Sequence, residues 1–106
     1  MRYLMLIAGR AEDYADADMS GCAAWSAEMT RRGLLLSCEG LVSPEEATTV
    51  RVRDGEVLLT DGPFAETKDQ IGGYALLECA TRAEAVEVAA KHPAAAVGML
   101  EVRPIE

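Results

Sequence analysis

The twelve residues from Thr49 to Thr60 constrain this chain more than any others. Thr49-Val-Arg-Val-Arg53 and Glu56-Val-Leu-Leu-Thr60 carry strand patterns, and Asp54-Gly55 separates them. Asp-Gly suits a two-residue type I′ turn, because both central positions of that turn need positive φ. Counting back from the turn predicts the pairs Arg53–Glu56, Val52–Val57, Arg51–Leu58 and Val50–Leu59. One face of the ribbon then carries Val50, Val52, Val57 and Leu59. The other carries the Arg53–Glu56 ion pair and Arg51. A slip of one residue would exchange the faces, so pattern and turn specify the same register.

The rest of the chain arranges itself around this hairpin. Arg2–Ile7 is apolar enough for a central strand, and Gly9 breaks it. Arg10–Asp18 reads as a loop running into a helix. Met19, Cys22, Trp25, Ser26 and Met29 recur at spacings of three and four, which predicts a helix from about Ala17 to Arg32 with Gly33 as its stop. Leu34–Val42 reads as a strand ending at Ser43-Pro44. Ala65–Gln70 is polar, and Gly72-Gly73 precede a strand over Tyr74–Cys79. Thr81 and Glu84 form a capping box for a helix reaching about Lys91, supported by Glu87 and Lys91 at i,i+4. A last strand runs over Gly98–Arg103. The order is βαββαβ with a hairpin inserted between the second and third main strands, an α+β, ferredoxin-like pattern. The helices cover one face of such a sheet, and a second subunit is the natural cover for the other.

A length of 106 residues corresponds to one domain. Half of the residues are hydrophobic, which is a globular composition, but many of them are alanine, so the core is light. Ten Lys and Arg against eighteen Asp and Glu leave a net charge of −8. The cations are scattered and make no basic patch, so a nucleic-acid partner is not expected. No apolar run approaches a membrane span, and Met1–Ala8 is too short for a signal peptide, which points to the cytoplasm. Cys22, Cys38 and Cys79 are widely spaced without a CxxC, and there is one histidine. This pattern predicts free thiols and no metal or other cofactor.

Asp61-Gly-Pro-Phe-Ala-Glu-Thr-Lys68, followed by Gly72-Gly73-Tyr74, resembles the DGPF motif of the YCII-related family. The likeness extends to Thr49–Gly55, Glu39-Gly40-Leu41, Lys91-His92-Pro93 and Glu101–Ile105, and so covers nearly the whole chain, which reads as a single domain of that family over 1–106. It implies a ferredoxin-like fold that dimerises through its sheets into an α/β barrel, with a cleft near the interface. It implies no settled activity. Some relatives occur beside genes for extracytoplasmic-function sigma factors. More distant ones include an enzyme that removes chloride from a chlorinated hydroxyhydroquinone. Those relatives are thought to use a histidine on the first helix with a nearby aspartate. Here the matching stretch, Met19–Trp25, holds no histidine, which speaks against a His–Asp mechanism. Ala75 also replaces a second aromatic that usually follows Tyr74.

Candidate catalytic residues are Asp61 and Glu39. Asp61 follows a strand and precedes a Gly-Pro kink, which can aim a carboxylate into a cleft; the same residue can equally serve as a turn acceptor. Glu39 interrupts an apolar strand and must face solvent, a cleft or a cation. Together they suit proton transfer if they converge. Candidate substrate-binding residues are Phe64, Glu66, Lys68 and Tyr74. Lys68 offers a cation to a carboxylate or phenolate, and Phe64, the only phenylalanine, reads first as a core plug. His92, before Pro93, reads as a positively charged cap on a helix C-terminus. Two functions remain open at this level. One is a cofactor-independent small-molecule enzyme using acid–base carboxylates at a dimer cleft. The other is a non-catalytic ligand-binding or regulatory homodimer linked to a sigma factor.

Overall fold

The computed structural model describes residues 1–106. Its elements are β1 (Arg2–Gly9), α1 (Ala11–Tyr14), α2 (Cys22–Arg31), β2 (Leu35–Gly40), β3 (Thr48–Arg53), β4 (Glu56–Asp61), β5 (Gln70–Glu78), α3 (Arg82–Ala90) and β6 (Met99–Pro104). Short 3-10 turns occupy Pro44–Glu46 and Pro93–Ala96. Four strands form an antiparallel sheet in the order β2-β5-β1-β6, and β3 and β4 form a separate two-stranded ribbon. The protein is therefore α+β, with a sheet order compatible with the ferredoxin-like pattern. No helix is long and apolar enough to cross a membrane.

The core lies between the sheet and its two longer helices. Tyr3, Met5, Ala75 and Leu77 point to that side and pack with Trp25 and Met29 of α2 and Ala85, Val88 and Ala89 of α3. Trp25 and Met29 are four residues apart, so both fall on the buried face of their helix. The Trp25 indole N–H donates to the Val88 carbonyl at 2.9 Å and ties the two helices together. Alternation sends Leu4, Leu6, Tyr74 and Leu76 to the opposite face, where they are half-buried. At the start of α3 the Thr81 hydroxyl accepts from the Glu84 N–H at 3.1 Å. The Glu84 carboxylate reaches back to Ala80, one residue beyond the expected partner, at 2.9 Å.

The ribbon has the register that the sequence specifies, from Val50↔Leu59 to Arg53↔Glu56. Asp54 and Gly55 take φ of 51° and 78°, as a type I′ turn requires. Val50, Val52, Val57 and Leu59 are nevertheless 57–67 % exposed, so the ribbon is an arm standing off the body. The radius of gyration, 15.6 Å, exceeds the roughly 13 Å of a compact chain of this length.

Two boundaries differ from the sequence reading by more than two residues. The first long helix starts at Cys22 rather than about Ala17, because the Asp18 carboxylate accepts from the Ser20 N–H at 3.0 Å and holds a turn there. Strand β5 starts at Gln70 rather than Tyr74 and runs through Gly72-Gly73. Gly73 is paired with Ile7 of β1 and Gly40 of β2, while Gly72 sits at a register irregularity opposite β1 and accepts from the Leu41 N–H at 2.9 Å; this pairing holds the segment extended where propensity alone would leave a loop.

Met5→Ala should cost about 2–5 kcal/mol in urea unfolding, because Met5 is fully buried at the centre of the core. Trp25→Phe should cost about 0.5–1.5 kcal/mol for the lost indole hydrogen bond, since the Val88 carbonyl keeps its bond from the Lys91 N–H at 3.3 Å.

Candidate functional site

Strands β2 and β5 lose their side chains at one level of the sheet. Gly40 lies opposite Gly73, and Gly73 lies opposite Ile7 of β1. At Gly40 and Gly72 an added Cβ would meet nothing within 4 Å. The helices do not fill the gap, because α2 begins only at Cys22. A cavity of about 540 Å³ results, bordered by the ends of β1 and β2, the start of β5, Met19 and Cys22. This volume is in the range of small-molecule sites, and its apolar lining is typical of them. Ile7, Leu41, Val42 and Ile71 supply apolar wall, while Tyr14, Lys68, Gln70 and His92 supply polar groups.

Each polar group has a local reason for its position. Tyr14 lies in a slot beside Gly9, where a Cβ would approach its ring to 2.7 Å, and donates its hydroxyl proton to the Ala8 carbonyl at 2.8 Å. Burial, with Asp13 nearby, raises the Tyr14 pKa, so the phenol stays protonated. Gln70 donates its amide to the carbonyls of Ala65 at 3.1 Å and Thr67 at 2.8 Å, closing the loop that presents Lys68. Burial raises Cys38, with Cys22 and Glu39 adding to the effect, and burial also raises Cys79. Both are protonated thiols and poor nucleophiles.

His92 is the residue whose environment departs furthest from expectation. It is 5 % exposed and stacks edge-on against Trp25 at 4.7 Å between ring centroids. Its Nδ1 accepts from the Ala94 N–H at 3.0 Å, so it caps the turn that follows rather than the helix that precedes. Burial lowers its pKa. The ring is therefore neutral near pH 7, and the positively charged cap read from the sequence is not formed.

The six candidates from the sequence do not gather at one place. Lys68 lines the cavity. Glu39 borders it, but strand alternation directs the Glu39 side chain to the open sheet face, where Tyr74 is its cross-strand partner. Phe64 is 81 % exposed and borders a neighbouring cavity of about 340 Å³, so it is not a core plug. Glu66 is exposed, and no ion pair joins it to Lys68. Asp61 ends β4 opposite Thr48, is exposed, and lines neither cavity. It does not converge with Glu39. The sequence reading missed Tyr14 and passed over Gln70 and Gly40. The pair of glycines at 72 and 73 was the usable signal, as glycines inside a strand mark a close approach or a space.

A model of the YCII-related domain family matches residues 1–106. An uncharacterized protein of Rhizobium meliloti (strain 1021) is 36 % identical over 105 residues, spanning 83 % of this chain and 85 % of that protein.

The glycines divide into two kinds by what surrounds them. Gly73→Val should be destabilising, because its Cβ would lie 3.0 Å from the Glu39 carbonyl and 3.4 Å from Ile7. Gly40→Val should fold with near wild-type stability in thermal melts, since its Cβ enters open space. Stability should also depend on pH through His92. Its folded pKa lies below the ordinary 6.5, so the unfolded chain takes up a proton first as pH falls. The melting temperature should drop as pH falls from 7 through 6.5 toward 5. His92→Asn keeps an acceptor for Ala94 and should flatten that drop.

Proposed function

We propose, from the premise that this chain belongs to the YCII-related domain family, that it binds a small molecule in the glycine-floored cavity. The observation that carries this is the matched absence of side chains at Gly40, Gly72 and Gly73. Those positions leave a mostly apolar space of about 540 Å³ beside the sheet. Lys68 at its rim is the cation available to an acidic ligand. We place the protein as a homodimer formed through the open sheet face, which would cover Leu4, Leu6, Tyr74 and Leu76 and make the α/β barrel of the DGPF-motif proteins it resembles.

A catalytic reading without metal or organic cofactor is favoured by one further observation. Glu39 and Tyr74 are cross-strand partners on that same open face, so dimerisation would enclose a carboxylate and a phenol together. In this reading Glu39 acts as general base, and Asp61 serves the geometry of its loop.

A thermal-shift screen against small hydroxylated aromatics, carboxylates and phosphorylated metabolites tests the site. A ligand at a hundred times its dissociation constant should stabilise by about 2.7 kcal/mol. Gly40→Val should abolish the shift while folding normally, whereas a shift retained in full in that variant would place the ligand elsewhere. Leu6→Glu should convert the dimer to a monomer in sedimentation velocity. A wild-type protein that sediments as a monomer would remove the dimer.

A further inference from the structure

His92 has a second polar atom for which nothing in the protein provides a partner. The Ala94 N–H occupies Nδ1, so Nδ1 is the acceptor and the ring proton sits on Nε2. No hydrogen bond within the chain uses Nε2, and it is not sealed away, since no buried side-chain nitrogen lacks a partner. The ring lines the large cavity. Nε2–H is thus an unbonded, unsealed donor on a cavity-lining side chain that is only 5 % exposed. Trp25 against the ring and Ala94 at its far nitrogen fix its orientation, and the neutral ring keeps its tautomer near pH 7.

We infer that His92 is the hydrogen-bond donor that orients the cavity's ligand, and that this ligand is a compact apolar molecule carrying a carbonyl or carboxylate oxygen. This rests on the cavity being the binding site. The surrounding wall selects the apolar body, because Ile7, Met19, Leu41 and Val42 offer it no polar contact. Within a mostly apolar cavity a ligand without an acceptor leaves Nε2–H unpaired, and a ligand with one satisfies it. An unpaired donor in such surroundings is costly, so this N–H discriminates between molecules of equal shape. Lys68 at the rim adds preference for a carboxylate over a neutral carbonyl without being required for either.

Three probes of similar size separate these contributions: ethylbenzene, acetophenone and benzoate. Wild-type protein should bind acetophenone and benzoate about tenfold or more tightly than ethylbenzene by calorimetry or NMR titration. His92→Asn retains the acceptor for Ala94 but has no donor at the Nε2 position, and should reduce that preference to within about twofold. Lys68→Ala should weaken benzoate alone. A preference left intact by His92→Asn would overturn the role given to His92 while leaving the cavity as the site. If none of the probes binds, or if Gly40→Val fails to block them, the cavity reading falls and the inference falls with it. Imidazole 15N spectra of the wild type give a check that needs no variant. The Nε2 proton should be present in the free protein, and Nε2 should shift on saturation with acetophenone while Nδ1 stays fixed. A shift confined to other residues would contradict the contact.

Discussion

The structure depends on one level of the sheet at which three positions carry no side chains. Gly40 and Gly73 face each other across β2 and β5, and Gly72 extends the gap along β5. Elsewhere the sheet meets its helices through Met5, Leu77, Trp25, Met29 and Val88, which form one buried cluster. At the glycine level the sheet offers nothing to pack, and α2 starts too late to lean over it. A cavity at that point follows from the backbone alone. The polar groups around it are held by contacts that have other structural roles: Tyr14 on Ala8, Gln70 across its own loop, and His92 on Ala94.

Much of the fold was legible because local and global signals agreed. Asp54-Gly55 with its flanking valines gave the arm residue by residue, and the Thr81–Glu84 pair placed the start of α3. The failures came where tertiary pairing overrode local preference. Gly72 and Gly73 look like a loop, yet they are strand because both neighbouring strands pair with Gly73 and the Leu41 N–H bonds the Gly72 carbonyl. Asp18 looks like part of a helix, yet its carboxylate bonds the backbone two residues on. The arm shows a third limit. Its apolar face was read correctly, but periodicity does not say what covers a face, and in this chain nothing does.

The candidate site was less legible than the fold. Residue type and motif drew attention to Asp61, Glu66 and Phe64, which are exposed and stand outside the large cavity. That loop is polar because it is solvated and tied by Gln70. Lys68 is the part of it that reaches the cavity. His92 looks like a charged helix cap in the sequence because it precedes Pro93 at the end of a helix. Its neutrality comes from burial beside Trp25, sixty-seven positions earlier in the chain, a contact that no local pattern records. The family to which the chain belongs brings no settled reaction, so the site must be argued from its own geometry.

Amide chemical-shift mapping tests the central claim most directly, because it locates a ligand without assuming where it binds. Isotopically labelled protein would be titrated with small hydroxylated aromatics and carboxylates. The amides of Ile7, Gly40, Gly72 and Gly73 should shift together, with the Thr48–Asp61 arm unmoved. Shifts gathered on the Asp61–Glu66 loop or on the arm, with the glycine amides unchanged, would contradict the claim.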